Sequence, residues 1–449
     1  MKKPEQNGNV QAIQDTCSES GVANASSRDA RPAVIIVGPP WPRSGTARVI
    51  QNQIDYYRDR GYLTIFICVP IHCSFTGTHS DWKDIQVGMR ELGADHTFFA
   101  PIDSRRFVVA KYMAWVQHRF RGTALDWIVF TAKSARLPDD ALEFIGRLPV
   151  ELIHVNHVFT LGFAQRLRRN TIHSGRRLPI ILDTHDIQSN ALKERGEINP
   201  WTHRDDTLDR LLDSEIAHLN SVNVLVHVSI EDFNFFKRRL PEKQHVLALP
   251  TIDPTFASDG NVPRPSSIDP IDLLFVGQST PPNAAAIQWF FEQVWPLIEH
   301  RGYCVKIAGG IDAVVRKDLP ELYQAFRSYF TGPLAVLAPT YRAARCVIAP
   351  MVSGTGISIK TIEALALGKP FVGTSKAYRG MPMDQIEQAG LHPYDSPGDF
   401  AAAIVQALSD EQLAAAASRM AYERLFSNQA SFASRDEALK IACQTGEVF

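Results

Sequence analysis

Two open α/β domains, each built on a mostly parallel sheet and joined by a polar linker, are what this sequence predicts. Short apolar runs alternate with helical patterns along the chain, in two separate series. Continuous runs of this kind suit strands covered on both faces, as in a parallel sheet. Between the series lies "PTIDPTFASDGNVPRPSSIDP", from Pro250, whose Pro, Ser, Asp and Gly content reads as a linker. At 449 residues the chain also exceeds what one core normally supports.

The first strand is "AVIIVGPP", from Ala33. The turn "PPWPRSGTARV", the helical stretch "ARVIQNQIDYYRDRG" and the strand "YLTIFICVP" follow, completing a βαβ unit. "LDWIVFT", "ELIHVNH", "LPIILDTHD" and "SVNVLVHVS" read as further strands, and "DTLDRLLDSEIAHLN" as a helix capped by Asp206. In the second series "IDLLFVGQ", "YCVKIAGG", "ARCVIAPM" and "PFVGTS" read as strands. Its clearest helix is "NAAAIQWFFEQVWPLIEHRG", with Asn283 as N-cap after Pro282. The expected division is a disordered tail over residues 1–30, a Rossmann-like domain over 31–250, a linker over 251–270, a second Rossmann-like domain over 271–425 and a helical segment over 426–449.

Composition narrows the function classes. The 45% hydrophobic and 21% charged residues are those of a soluble globular protein, and a net charge of −1 argues against a general nucleic-acid binder. The six cysteines are scattered, which favours buried reduced thiols and a cytoplasmic setting over a disulfide framework. Cys68 and Cys73 have no matching second pair, so no zinc site is expected. The polar start lacks the apolar core of a signal peptide, and no run reaches membrane-spanning length.

Polar residues cluster where these strands end: "WPRSGT" after "AVIIVGPP", "NH" after "ELIHV", "DTHD" after "PIIL", "GQ" after "LLFV", "GG" after "VKIA", and "MVSGTG" after "CVIAP". Open α/β sheets bind ligands outside the carboxyl ends of their strands, so the pattern implies two sheets facing one ligand. The most informative stretch is "SGTGISIKTIEALALG". Gly354 and Gly356 permit a tight turn with close backbone approach. A helix begins near Ile357, and its first amides and positive dipole end favour a phosphate. Lys360 adds a cation one turn in, and Glu363 lies three residues further on nearly the same face. A carboxylate there suits hydroxyls such as those of a ribose. Together these groups describe a nucleoside diphosphate; the alternative is a glycine-turned helix with a surface Lys360–Glu363 pair.

"GTGISIKTIEALALGKPFVGT" resembles the donor-binding segment of the GT-B retaining glycosyltransferases of glycosyltransferase family 4. "LLFVGQSTPPNAAAIQWFFEQVWPLI", "VKIAGG" and "LAPTYRAARCVIAPMVSGTG" follow that family's C-terminal domain in order over roughly residues 270–380, and "VGPPWPRSGTARVI" and "LDTHDIQSNAL" fit its N-terminal half more loosely. The resemblance implies a GT-B fold, with an acceptor domain first and a donor domain second. It implies transfer of a sugar from a nucleoside-diphosphate sugar with retention of configuration, usually without a metal or other cofactor. Glu363 matches the later Glu of the family's paired-Glu motif, which binds the donor ribose. The earlier Glu is Thr355 here, a departure at the position that touches the donor sugar. Lys360 and the amides of Gly356, Ile357 and Ser358 match the part that holds the diphosphate. After "LLFV", Gly277 opens a turn that lacks the family's Arg and Lys, which leaves more of the charge to Lys360.

On the first domain, "RSGTAR" matches the family's glycine-bearing loop near the donor phosphates. Gly45 and Thr46 are the candidates, with Arg43 and Arg48 as charge partners; an ordinary helix-capping loop is the alternative. "IHVNHV" offers His154, Asn156 and His157, of which His157 lies just beyond the strand and is the candidate near the reacting sugar; a core-packed histidine is the alternative. "DTHD" supplies Asp183, His185 and Asp186 for acceptor hydroxyls or as a base, with helix capping by Asp186 as the competing role. His157, Asp186 and Lys360 are therefore the expected catalytic residues, and no metal site is expected. Charge stabilisation on the leaving diphosphate would be the main protein contribution. "KYMAWVQHRFRG", with Trp115 and Phe120, and "RLRRNTIHSGRR" are basic segments suited to anionic lipid heads. They match a glycan or lipid-linked acceptor and peripheral contact with the inner membrane face; a solvated basic face is the alternative. Two functions follow: a glycosyltransferase of surface polysaccharide or glycolipid synthesis, or a catalytically weak nucleotide-sugar-binding subunit of a glycan assembly.

Overall fold

The computed structural model describes residues 31–42, 44–71, 79–101, 109, 112–113, 116, 122–170, 178–194, 207–252, 271–334 and 336–445. Arg43, Cys17, Cys73, Trp115, Phe120, Asp206, the tail, nearly all of the linker and much of both basic segments lie outside these residues.

Seven parallel strands form the first sheet: β1 (Ala33–Gly38), β2 (Leu63–Cys68), β3 (His96–Phe99), β4 (Val150–Asn156), β5 (Ile180–Asp183), β6 (Val224–His227) and β7 (Gln244–Leu247). They are ordered β3-β2-β1-β4-β5-β6-β7. The second sheet holds β8 (Ile271–Val276), β9 (Val305–Ala308), β10 (Phe330–Gly332), β11 (Ala344–Ala349) and β12 (Phe371–Gly373), all parallel, in the order β10-β9-β8-β11-β12. In each sheet the chain steps outward from its first strand and then returns to that strand's other side. The switch points fall between β1 and β4 and between β8 and β11. Crevices for ligands open at the carboxyl ends of strands at such points.

Alternation along β1 explains why the runs are apolar throughout. Ala33, Ile35 and Val37 pack into one layer and Val34 and Ile36 into the other, all fully buried. "LDWIVFT", read as a strand, is instead part of helix Ala124–Ser134. A short apolar run does not by itself distinguish a strand from a buried helix. Here Thr123 and Asp126 close a capping box, which sets the helical start.

Seven helices bear on the site and its support: α1 (Gly45–Asp59), α2 (Ala124–Ser134), α3 (Gln188–Glu194), α4 (Ile230–Arg239), α5 (Pro281–Trp289), α6 (Ile359–Ala366) and α7 (Asn428–Thr445). Helix α5 starts three residues earlier than an N-cap at Asn283 would place it. Thr280 is its N-cap and Asn283 lies inside its first turn, because prolines 281 and 282 fit helix positions that need no amide donor. The helix after Asp206 is capped by Thr207, whose side chain accepts from Arg210 N. Helix α7 leaves the second domain and packs on β5, β6 and β7 of the first sheet. Its Ala438 and Ala442 enter the core layer of Val34 and Ile36. Asp436 accepts from Tyr56 OH at 3.0 Å and from Arg60 at 2.7 and 2.9 Å.

The domains touch directly. Ile230 N, at the amino end of α4, donates to Gly380 O at 3.0 Å, and Gly380 N donates to Glu231 Oε1 at 3.0 Å. Among the described residues no helix is long and apolar enough to cross a membrane. Cys68 and Cys346 are buried, Cys304 is partly covered and Cys443 is exposed, and all four are free thiols.

Candidate functional site

The loop after β1 is fixed by its own side chains. Ser44 caps α1 by accepting from Ala47 N at 3.2 Å, while its Oγ donates to Trp41 O at 2.7 Å. Gly45 then starts the helix as an exposed residue, and Thr46 presents its hydroxyl 2.9 Å from His157 Nε2. The capping role belongs to Ser44, and Thr46 is left for the cleft.

His157 follows β4 with φ 63° and His185 follows β5 with φ 64°; among the described residues no other non-glycine has positive φ. Such conformations are sparsely populated and collect at functional sites. The two imidazoles stack with centroids 4.0 Å apart, and Trp41 stands edge-on to His157 at 4.9 Å. His185 Nε2 lies 2.9 Å from Asn156 Oδ1, an acceptor, so this nitrogen carries the proton. Burial lowers its pKa to about 4, with the Arg435 charge acting in the same direction. A neutral His185 thus backs His157.

Beneath the histidines lies a buried polar network. Gln53 Nε2 donates to Asn156 Oδ1 at 2.9 Å and to Asp183 Oδ2 at 2.8 Å. His154 Nε2 donates to Asp183 Oδ1 at 2.8 Å, and Tyr57 OH lies 2.8 Å from His154 Nδ1. Arg435, 2% exposed on α7, places a guanidinium nitrogen 3.5 Å from Asp183 Oδ2. Burial alone would raise the Asp183 pKa, yet His154 and Arg435 hold it well below the usual carboxylate range. Asp183 and His154 therefore support the strand ends from inside and do not face the cleft.

Asp186 does face it. The first amides of α3, Gln188 N and Ser189 N, both donate to Glu215 at 2.9 Å. Glu215 thus takes the capping role that competed for Asp186. Asp186 Oδ1 instead lies against Gly356, only 2.6 Å from where a Cβ on that glycine would stand. A carboxylate of the first domain is thereby set on the glycine turn of the second.

That turn is built from Gly354 (φ 127°) and Gly356 (φ 64°) and enters α6 at Ser358. Among the described residues no side chain caps α6: Ser358 Oγ is engaged with Thr361 Oγ1 at 2.9 Å. Its first amides are therefore left for an anion. Arg379, which the sequence pattern did not single out, braces the turn by donating from Nε to Thr355 O at 3.1 Å. Thr355 itself is exposed. Lys360 Nζ points to α5, donating to Asn283 Oδ1 at 2.5 Å and lying 4.4 Å from the Phe275 ring centroid. Burial first, then the Arg379 charge, lower its pKa to about 7. Glu363 is 8% exposed, accepts from Tyr341 OH at 2.9 Å, and is pushed upward in pKa by burial. The Arg48 charge reaches it from the first domain in the opposite sense.

Two cavities open here. One, of about 430 Å³, is lined by Trp41, Ser44, Thr46, His157, Asp186, Gln188, Ala191 and Thr355. The other, of about 200 Å³, lies between α4 and the glycine turn and includes Gly354, Gly356 and Arg379. The structure thus brings Thr46, His157, Asp186, Gly354, Thr355 and Gly356 together. Gly45, Gly277, Ile357, Ser358, Lys360 and Glu363 line neither cavity. Gly277 packs on Gly309, whose Cβ would stand 2.3 Å from Gly277 O. The fit of these two glycines is a packing requirement between the ends of β8 and β9.

Residues 270–410 match the family described as "Glycosyl transferases group 1". No curated protein matches the sequence. Solved structures match along nearly the whole chain. Anabaena Alr3699/HepE, in complex with UDP and glucose, shares 12% identity over 91% of this chain and 100% of its own, with a TM-score of 0.58. A glycosyltransferase from Rickettsia africae ESF-5 shares 12% identity over 92% and 99%, with a TM-score of 0.58. The pneumococcal O-GlcNAc transferase GtfA, in complex with UDP and GlcNAc, shares 12% identity over 92% and 99%, with a TM-score of 0.56. At such identities the likeness establishes architecture, and the architecture of this chain is the GT-B fold of glycosyltransferases.

Proposed function

We propose that this protein is a retaining glycosyltransferase that uses a nucleoside-diphosphate sugar. One observation carries the reading: Asp186, set against the glycine turn at the amino end of α6 at the switch point of the second sheet, lines one cavity with the Thr46–His157 pair at the switch point of the first. The α6 amides, with Lys360 swung from Asn283, would hold the diphosphate, and Glu363 the ribose. Thr46 and His157 would face the transferred sugar in the larger cavity. Asp186 occupies the surroundings of Thr355, where the resembling family has a Glu, and would supply a carboxylate from the opposite domain. That placement favours turnover over the binding-subunit reading. The acceptor would be a glycan or a lipid-linked acceptor handled at the cytoplasmic face, in surface polysaccharide or glycolipid synthesis.

The test is thermal-shift screening with UDP, GDP, dTDP, ADP and CMP on wild type, Lys360→Ala and Glu363→Ala. One nucleoside diphosphate, with UDP the first candidate because HepE and GtfA hold it, is expected to stabilise wild type and neither variant. A folded wild type that responds to none of the five would overturn the donor site.

A further inference from the structure

Among the described residues the two cavities share Asp186, Ala191 and Thr355 alone. Transfer needs two reactants to meet at one point, and this common wall is where two occupants would touch. The chambers differ in chemistry. The larger holds the Thr46–His157 pair. The smaller is rich in side-chain oxygen on its first-domain wall, with Asp186, Asn190, Ser229, Glu231 and Asp232.

Two of these groups are committed elsewhere. Glu231 Oε1 accepts from Gly380 N, and Ser229 Oγ accepts from Asp232 N at 3.1 Å. The Asp232 carboxyl is different. The residue is 7% exposed, yet Oδ2 has no hydrogen-bond partner among the described residues. A buried polar oxygen left in this state carries a desolvation penalty, which a donor entering the cavity removes.

We propose that the smaller cavity is a subsite for a hydroxyl-bearing sugar ring of the acceptor, and that Asp232 Oδ2 is the group that fixes the ring's position. The inference rests on the glycosyltransferase reading and adds its second substrate. Burial, then the Asp186 charge, push the Asp232 carboxyl up to about 7, so near neutrality it both accepts from and donates to hydroxyls. Asn190 offers a further amide on the same wall. Asp232 is a positioning residue: it sits off the shared wall and takes no part in bond making.

Saturation-transfer NMR with the methyl glycosides of glucose, galactose, mannose and N-acetylglucosamine tests this on the full chain. Wild type, Asp232→Asn and Asp232→Ala are compared with and without the nucleoside diphosphate that binds. At least one glycoside is expected to bind wild type and to bind Asp232→Ala at least about tenfold more weakly. Asp232→Asn, which keeps shape and a hydrogen-bonding group, is expected to fall between them. Nucleotide affinity is expected to stay within twofold in both variants. The proposal is overturned if no glycoside binds, if glycoside binding ignores Asp232, or if nucleotide affinity falls in parallel. Nucleotide binding without glycoside binding would sink the subsite alone, while loss of both would sink the donor site with it.

Discussion

Gly356→Ala tests the contact between domains most directly. The new Cβ meets two obstacles. At φ 64° an alanine is in the left-handed region, at about 1 kcal/mol. The Cβ would also stand 2.6 Å from Asp186 Oδ1, well inside the 3.4 Å at which ordinary contact begins. Asp186 must swing aside, and a displaced rotamer adds about 1 kcal/mol. With a domain of this size losing roughly 2–4 °C per kcal/mol, the melting temperature should fall by about 4–8 °C. The second share depends on the Asp186 side chain, so in an Asp186→Ala background the same glycine change should lower it by only about 2–4 °C. The four proteins of this cycle are compared by calorimetry. Equal losses in both backgrounds would show that Asp186 does not rest on the turn, and the carboxylate assigned to the donor site would lose its support.

Lys360 gives a pH signature. Its pKa is lowered to about 7 against an ordinary 10.5, and a bound diphosphate would raise it again. Nucleotide affinity is thus expected to be greatest below pH 7 and to fall by up to about tenfold per pH unit above it; a pH-independent affinity by calorimetric titration would refute this, and Lys360→Met should flatten the profile. Between pH 7 and 10.5 the folded state binds fewer protons at this site than the unfolded chain does, so the lysine's contribution to stability of the empty protein rises with pH there. Arg435→Met should destabilise the protein by about 3–5 kcal/mol in urea, because it leaves Asp183 buried without its cation, and adding Asp183→Asn should recover part of the loss. A change below about 1 kcal/mol would show the pair to be energetically idle.

Sequence pattern reaches the two-domain parallel architecture because parallel strands are apolar on both faces, and "AVIIVG" or "LLFV" cannot serve as anything half-exposed. It fails at the sheet margins: β3, β7 and β10 have only three or four residues each and are partly exposed, so no continuous run marks them. It also fails where only length and caps separate strand from helix, as at "LDWIVFT". At the site, Thr46, His157, Asp186 and the glycine turn were legible because each follows a strand end. Asp232 and Arg379 were not. "SIED" reads as an ordinary helix cap, and that cap exists, with Ser229 accepting from Asp232 N. The second role of Asp232 arises from a wall contributed more than a hundred positions downstream, which no local pattern encodes. The Arg435–Asp183 pair was hidden for the same reason.

The return of α7 to the first sheet also sets an order of events during synthesis. The layer holding Val34, Ile36 and Tyr56 lacks Ala438 and Ala442 until α7 has emerged, and Asp183 lacks its arginine until then. The second domain, whose core lies almost wholly between Leu249 and Phe426, is complete before that helix appears. Although domains commonly fold in the order they are made, here the later-made domain is the first able to close its core. The nascent first domain waits with one layer open until α7 packs on β5, β6 and β7 and seals it.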